Sequence, residues 1–293
     1  MDILEIVKKH RENCSLQELK IANYVLTQYD KVVFMTASKL AETVGVSQPT
    51  VIRFAQHLGF VGYHEFVGAL QELIRLELTT PDRFSISLRN GGEVSRYPIR
   101  FINKEIETLT LFSQHFPFES YKKALQIIAT SHKVYVIGMR GSAALAMYFS
   151  YFLSKVKHPV FHITHGGTIN YDLLLEMEKK DLAIIVTFPR YPEETIRMAR
   201  YLRKKGHQIL TITDNSESPV IPFSDLSIIV PVSFSTIFDS YLAPFCLFNM
   251  IVTDVGKTSR QKAQKLINDF EVLAEEINIF HKVSRRQRDS RNE

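Results

Sequence analysis

Several absences narrow the class of this chain. No apolar run approaches the roughly 20 residues that span a bilayer, so no membrane segment is expected. The 293 residues hold two cysteines, Cys14 and Cys246, with no CxxC spacing. That argues against a disulfide framework or a zinc site and fits a reducing cytoplasm. The opening MDILEIVKKHRENC is charged throughout, unlike a secretory leader. No internal repeat or low-complexity tract occurs. His158, His162 and His165 lie close in sequence but lack the helical i, i+4 spacing of a zinc pair. No paired acid and base stands out, so no catalytic residue, metal or cofactor is expected.

What is there is the composition of an ordinary globular protein, 45% hydrophobic and 23% charged, long enough for two domains. The formal charge of +5 is a weak hint of nucleic acid, and its distribution weakens it further. Residues 1–78 hold 8 Lys and Arg against 9 Asp and Glu, while 281–293 hold 5 against 2. One copy of the N-terminal segment is therefore expected to grip DNA weakly, and useful binding to require a dimer or larger assembly.

The richest stretch is Thr36 to Phe60, TASKLAETVGVSQPTVIRFAQHLGF. It reads as two helices joined by a tight turn. Ala41 allows a close crossing. Gly45 can take the left-handed conformation that ends the first helix. Val46, Val51 and Phe54 face back toward Leu40 and Val44. Ser47 stands at an N-cap, and Pro49 falls in the first turn, where a missing N–H costs little. This is the pattern of a DNA-reading helix-turn-helix. On it, Gln48, Thr50 and Arg53 are candidates for base edges, Ser38 and Lys39 for phosphates, and Ser47 for the start of the reading helix. His57 reads as a surface or packing residue. The plain alternative is a helical hairpin that never meets DNA.

Apolar spacing predicts further helices over Ile3–Arg11, Ser15–Gln28 and Tyr63–Leu78, with a short one around Val32–Phe34. Residues 1–78 thus form an all-α unit. Thr79 to Pro98, with Pro81, Gly91-Gly92 and Pro98, reads as a linker. Helices over Ile99–Ser113 and Phe118–Ala129 follow. From Lys133 the texture changes to five short apolar runs: Val134–Met139, Val160–Thr164, Leu182–Phe188, Gln208–Asp214 and Leu226–Val232. Helical patterns separate the first four, at Ser142–Val156, Thr168–Met177 and Glu193–Lys205. Strands that are apolar on both faces imply a parallel sheet covered on both sides, and five strands suit a flavodoxin-like three-layer α/β sandwich. Helices over Ile237–Val255 and Arg260–Phe280 complete a domain at 99–280. The tail 281–293 is a charged, frayed end.

The run MTASKLAETVGVSQPTVIRFAQHLGFVGYHEF resembles the helix-turn-helix of RpiR/MurR-type bacterial transcription regulators, over most of residues 1–78. Residues 120–255 resemble the sugar isomerase (SIS) domain that such regulators carry. The resemblance implies a small-molecule site at two loops. The first is Val136-Ile137-Gly138-Met139-Arg140-Gly141-Ser142, where helix amides and a serine hydroxyl can cradle an anion. The second normally reads S-x-S-G-x-T-x-E and holds a sugar phosphate. Here it is Thr187-Phe188-Pro189-Arg190-Tyr191-Pro192-Glu193-Glu194. Thr187 keeps the first hydroxyl and Glu194 the final acid, but Pro189, Arg190 and Pro192 replace serine, glycine and threonine. Arg140 and Arg190 favour an anion such as a phosphate or carboxylate. Tyr191 offers a stacking surface. Glu193 and Glu194 also read as acids opposing a helix dipole. Ser233, Ser235 and Thr236, after the last strand, either bind ligand or cap the next helix.

The expectation is a cytoplasmic, ligand-responsive regulator that represses a catabolic operon. Its partners are double-stranded DNA with a palindromic operator, a small anionic metabolite at Gly138, Arg140, Gly141, Ser142, Thr187, Arg190, Tyr191, Glu194 and Ser235, and further copies of itself as a homodimer or homotetramer. The apolar faces of Ser142–Val156 and Ile237–Val255 are candidate interfaces. Two alternatives stay open. One is a sugar-phosphate isomerase with a helical appendage. The other is a ligand-independent DNA-binding protein that the α/β domain merely dimerises.

Overall fold

The computed structural model describes residues 3–33, 35–77, 79–81, 83–84, 97–233 and 238–281. The chain divides into two compact units: Met1–Glu107 with Ser233–Ser240, and Thr108–Val232 with Tyr241–Glu293. Most of the expected linker, much of the charged tail and the residues Ser235 and Thr236 lie outside the described residues.

The first unit is helical: α1 (Ile3–His10), α2 (Leu16–Val32), α3 (Ala37–Val44), α4 (Gln48–His57) and α5 (Tyr63–Glu77), with a 3₁₀ turn at Arg11–Asn13. Ser15 starts α2 through a capping box with Glu18, which satisfies two otherwise orphaned amides. The separate short helix expected near Val32 is instead joined to α2 across a kink at Gln28, where φ is −140°. Thr36 caps α3 by accepting from the Lys39 N–H at 3.1 Å. Gly45 ends α3 with φ 71° and ψ 46°, and Ser47 caps α4. The core gathers Val7, Ile21, Val25, Leu40, Val51, Phe54, Phe66 and Leu70, each no more than 1% exposed. Burying each such side chain stabilises by about 1.5–3 kcal/mol.

The second unit takes up the end of α6 (Tyr97–Gln114), then α7 (Phe118–Thr130), β1 (Val134–Ile137), α8 (Gly141–Leu153), β2 (Val160–Ile163), α9 (Thr168–Leu175), β3 (Leu182–Val186), α10 (Glu193–Lys205), β4 (Gln208–Thr213), β5 (Leu226–Ile229), α11 (Leu242–Thr258) and α12 (Arg260–Glu276). All five strands are parallel, in the order β2-β1-β3-β4-β5. Alternate side chains feed two cores. Val134, Val136, Leu182, Ile184 and Val186 pack with α7, α8 and α11, while Tyr135, Ile137, Ala183 and Ile185 pack with α9 and α10. This is the expected three-layer sandwich. Strand order reverses between β1 and β3, and the crevice beyond their carboxyl ends is where such sheets hold ligands. No helix among the described residues is long and apolar enough to cross a membrane.

Candidate functional site

In the helical unit, α3 and α4 bury their apolar sides and leave a polar face outward. Ser38, Lys39, Ser47, Gln48 and Arg53 are exposed and Thr50 is half-buried. Three of them form a chain along α4. The Ser47 and Thr50 hydroxyls lie 2.7 Å apart, and Arg53 Nη2 donates to Thr50 Oγ1 at 3.5 Å. Lys39 pairs with Glu42 at 2.9 Å, both exposed. His57 turns away from this face. Its Nδ1 meets Glu18 Oε1 at 2.6 Å, which ties α4 to the start of α2. Burial alone would raise the Glu18 pKa. The bonds from the Ser15 N–H and hydroxyl, and from His57, outweigh it and hold the carboxyl below its ordinary value.

At the strand-end crevice the loop after β1 is tightly built. A Cβ on Gly138 would lie 2.6 Å from the Ser142 carbonyl oxygen and 2.9 Å from Ala146 Cβ. Only glycine lets α8 approach the strand this closely. Arg140 precedes α8 with φ 57° and ψ −126°, a strained conformation for a residue with a side chain. Such strain concentrates at ligand sites. Gly141 is exposed, and its missing Cβ would stand 3.2 Å from the Tyr241 hydroxyl. Ser142 departs from the expected cradle: it is 3% exposed, and its N–H donates to the Met139 carbonyl at 3.1 Å. It packs into the base of the loop.

The loop after β3 is held by bonds that the sequence did not announce. Thr187 is fully buried, its N–H bonded to Ile212 O on β4, and its hydroxyl has no hydrogen-bond partner among the described residues. Arg190 is exposed. The Tyr191 hydroxyl donates to Asp214 Oδ1 at 2.8 Å and accepts from Asn215 Nδ2 at 3.1 Å. Glu194 Oε1 accepts from the Tyr171 hydroxyl at 2.8 Å, and its carboxylate occupies the space a Cβ on Gly166 would need. That hydrogen bond, with some desolvation, raises the Tyr171 pKa. Phe188 meets Tyr241 with ring centroids 5.4 Å apart. Sequence reasoning thus missed Tyr171, Asp214, Asn215 and Tyr241. Asp214-Asn215 could have been found, because they directly follow an apolar strand whose end opens on the crevice.

The two interface candidates differ. On α8, Met147 and Tyr151 are 51% and 54% exposed, one helical turn apart. On α11 Leu247, Phe248, Ile251 and Val255 are fully buried in the unit's own core, while Leu242 at the start of the helix is 47% exposed.

A DNA-reading helical unit joined to a doubly wound α/β unit with a strand-end crevice defines a two-domain regulator architecture. Residues 1–75 match the helix-turn-helix domain of the rpiR family and residues 127–254 the SIS domain. The chain belongs to the RpiR-type helix-turn-helix proteins that carry a SIS domain. It is 22% identical to an uncharacterized HTH-type transcriptional regulator of Clostridium perfringens, over 88% of this chain and 93% of that one. The sugar isomerase domain of an RpiR transcription factor from Sphaerobacter thermophilus shares the fold, with a TM-score of 0.58 and 21% identity over 60% of this chain and 98% of that one. The Vibrio vulnificus NanR protein, solved in complex with ManNAc-6P, shares it over 96% of this chain and all of its own, with a TM-score of 0.57 and 16% identity.

Proposed function

We propose that this protein is a cytoplasmic transcriptional regulator that binds a palindromic operator as a homo-oligomer and changes its grip when a small anionic metabolite enters the SIS crevice. The observation that carries the reading is the α3–turn–α4 geometry. Its apolar side is sealed into a core while Gln48 and Arg53 remain exposed on α4. The near-neutral charge of this unit, with Lys39 already paired to Glu42, supports binding by several copies at once. To this reading we add a catabolic operon as the target and repression as the direction of control.

The crevice supports a ligand through the strained Arg140, the exposed Arg190 and the glycine-built loop between β1 and α8. The NanR complex with a sugar phosphate makes that ligand class the first to try. The enzyme reading has less support, because Glu194, the acid that the second loop retains, is bonded to Tyr171. The test has two arms. Arg53→Ala should weaken specific DNA binding at fixed salt by about tenfold or more, as expected for losing a base or phosphate contact, with melting unchanged. Unchanged affinity would refute the placement of the reading face. A thermal-shift panel of sugar phosphates, including ManNAc-6P, should contain a compound that stabilises the protein without being consumed. Turnover of one would favour the isomerase.

A further inference from the structure

We propose that Gln56, at the far end of α4, reads an A·T base pair next to the pair that Arg53 meets, with Val61 packing on the thymine methyl. This rests on the reading of α4 as the DNA-contacting helix and names part of the sequence that helix selects.

The direction in which α4 faces follows from what it buries. Val51, Phe54 and Ala55 are each no more than 1% exposed and lie in the core of the helical unit. An α-helix turns about 100° per residue. The side opposite those three is held by Pro49, Arg53 and Gln56, spaced by four and three positions, which makes them one row. All three are exposed. Thr50 and His57 fall at the edges of the row, and each is engaged elsewhere, Thr50 with Ser47 and His57 with Glu18. Gln56 closes the row and takes no part in the core.

The chemistry at that end is specific. Gln56 Nε2 approaches the Val61 carbonyl at 3.5 Å, beyond the usual range of about 2.7–3.2 Å. Its side-chain amide makes no other hydrogen bond among the described residues. An oxygen and an N–H are thus left for a partner outside the unit. Val61 is 86% exposed, more than any other large apolar side chain among the described residues. A scattered exposed apolar residue needs no explanation. This one is pinned at the end of the polar row, because its N–H donates to Glu65 Oε2 of α5 at 2.6 Å. Glutamine offers the donor and acceptor that adenine N6 and N7 require, and an apolar group suits the thymine C5 methyl. Gln56 and Val61 together therefore match both halves of one A·T pair. Arg53 has the fork that matches guanine. It lies about 4.5 Å back along the helix axis, close to the ~3.4 Å step of the duplex, so the two side chains reach neighbouring pairs.

The test is selection from a duplex library with a randomised core, using the full chain at one salt concentration. The parent should enrich a site with an A·T pair within two positions of the one that Arg53→Ala relaxes. Gln56→Ala should cut the preference for that A·T pair by about fivefold to a hundredfold, the worth of a bidentate contact, and leave the other positions alone. Its salt slope on the selected duplex should equal the parent's, since no phosphate contact is lost. Gln56→Glu keeps the shape of the side chain but can no longer donate. It should move the preference toward C·G, whose cytosine N4 supplies a donor. Uracil in place of the thymine should weaken the parent about fourfold, the worth of one buried methyl group, and Val61→Ser should remove that difference. Positional preferences in Gln56→Ala equal to the parent's overturn the proposal. So does a loss spread evenly over all positions with a shallower salt slope, which marks a phosphate contact. Either result can stand beside an Arg53→Ala that still weakens specific binding, and then the regulator reading holds. A parent that enriches no sequence overturns both.

Discussion

Replacing Glu18 with alanine tests how the reading helix is held in place. The carboxylate accepts from the Ser15 N–H at 2.9 Å, from the Ser15 hydroxyl at 2.8 Å and from His57 at 2.6 Å. Losing the capping box costs about 1 kcal/mol. The His57 side chain is 66% exposed, so water screens that contact and it adds only about 0.5–1 kcal/mol. The sum, about 2 kcal/mol, should lower the melting temperature of the helical unit by roughly 8–16 °C, given about 4–8 °C per kcal/mol for a domain this small. The pH dependence has a fixed sign. Glu18 is held below its ordinary pKa. Its contribution is therefore complete above the unfolded carboxylate value and fades as pH falls through the lower folded value. Melting of the full chain, with hydrogen exchange to localise the change to α2 and α4, should show a large gap between variant and parent at neutral pH that narrows in acid. A gap below about 0.5 kcal/mol at pH 7, small for a lost cap, would refute the reasoning, as would a gap that stays constant into acid.

Two glycines should fail for different reasons. Gly45→Ala meets no atom of the described residues within 4 Å, but Gly45 has φ +71°, so its cost is conformational, about 1 kcal/mol. Asparagine, which tolerates that region, should recover part of it in thermal melts. Gly138→Ala drives a methyl to 2.6 Å from the Ser142 carbonyl. The first turn of α8 must shift, at about 1–3 kcal/mol. Exchange should rise at residues 138–146 and leave α3 and α4 unchanged. A melting temperature equal to the parent's would show that the loop yields freely.

The α/β layers were legible because buried parallel strands write themselves as continuous apolar runs. All five were found, and each was read too long. Met139 and Phe188 explain why. They are 3% and 1% exposed yet lie past the last residues of β1 and β3. Burial outlasts the hydrogen-bond ladder, and apolarity cannot report where pairing stops. The last helix was overrun in the same way. Ile277, Ile279 and Phe280 keep the apolar rhythm beyond Glu276, but Asn278 turns to φ 52°. The turn at Gly45 and the cap at Ser47 were readable because they depend on the chemistry of one residue. The bonds from Tyr171 to Glu194 and from Tyr191 to Asp214 each span 23 positions. Only the folded sheet brings those partners together, so no local pattern encodes them.

The same bonds decide where an anion can sit. At the start of α10, Pro192 holds the N-cap without a side-chain bond, and Glu193 and Glu194 occupy the first turn. Those acids already answer the helix dipole and repel a second negative charge. Tyr191, which could have donated to a ligand, donates to Asp214 instead. At α8 the first turn carries no acid, and Arg140 precedes it. A phosphate or carboxylate should therefore bind at α8 and avoid α10. For a sugar phosphate that stabilises the protein, Arg140→Ala should raise Kd about tenfold to a hundredfold, the worth of a hydrogen bond to a charged group. Glu194→Gln keeps an oxygen for the Tyr171 hydroxyl and removes only the charge. It should leave Kd within about threefold or tighten it, as expected for relieving a screened like charge. If Glu194→Gln weakens binding as much as Arg140→Ala, the α10 loop still holds the ligand and its changed residues have found another way to do so.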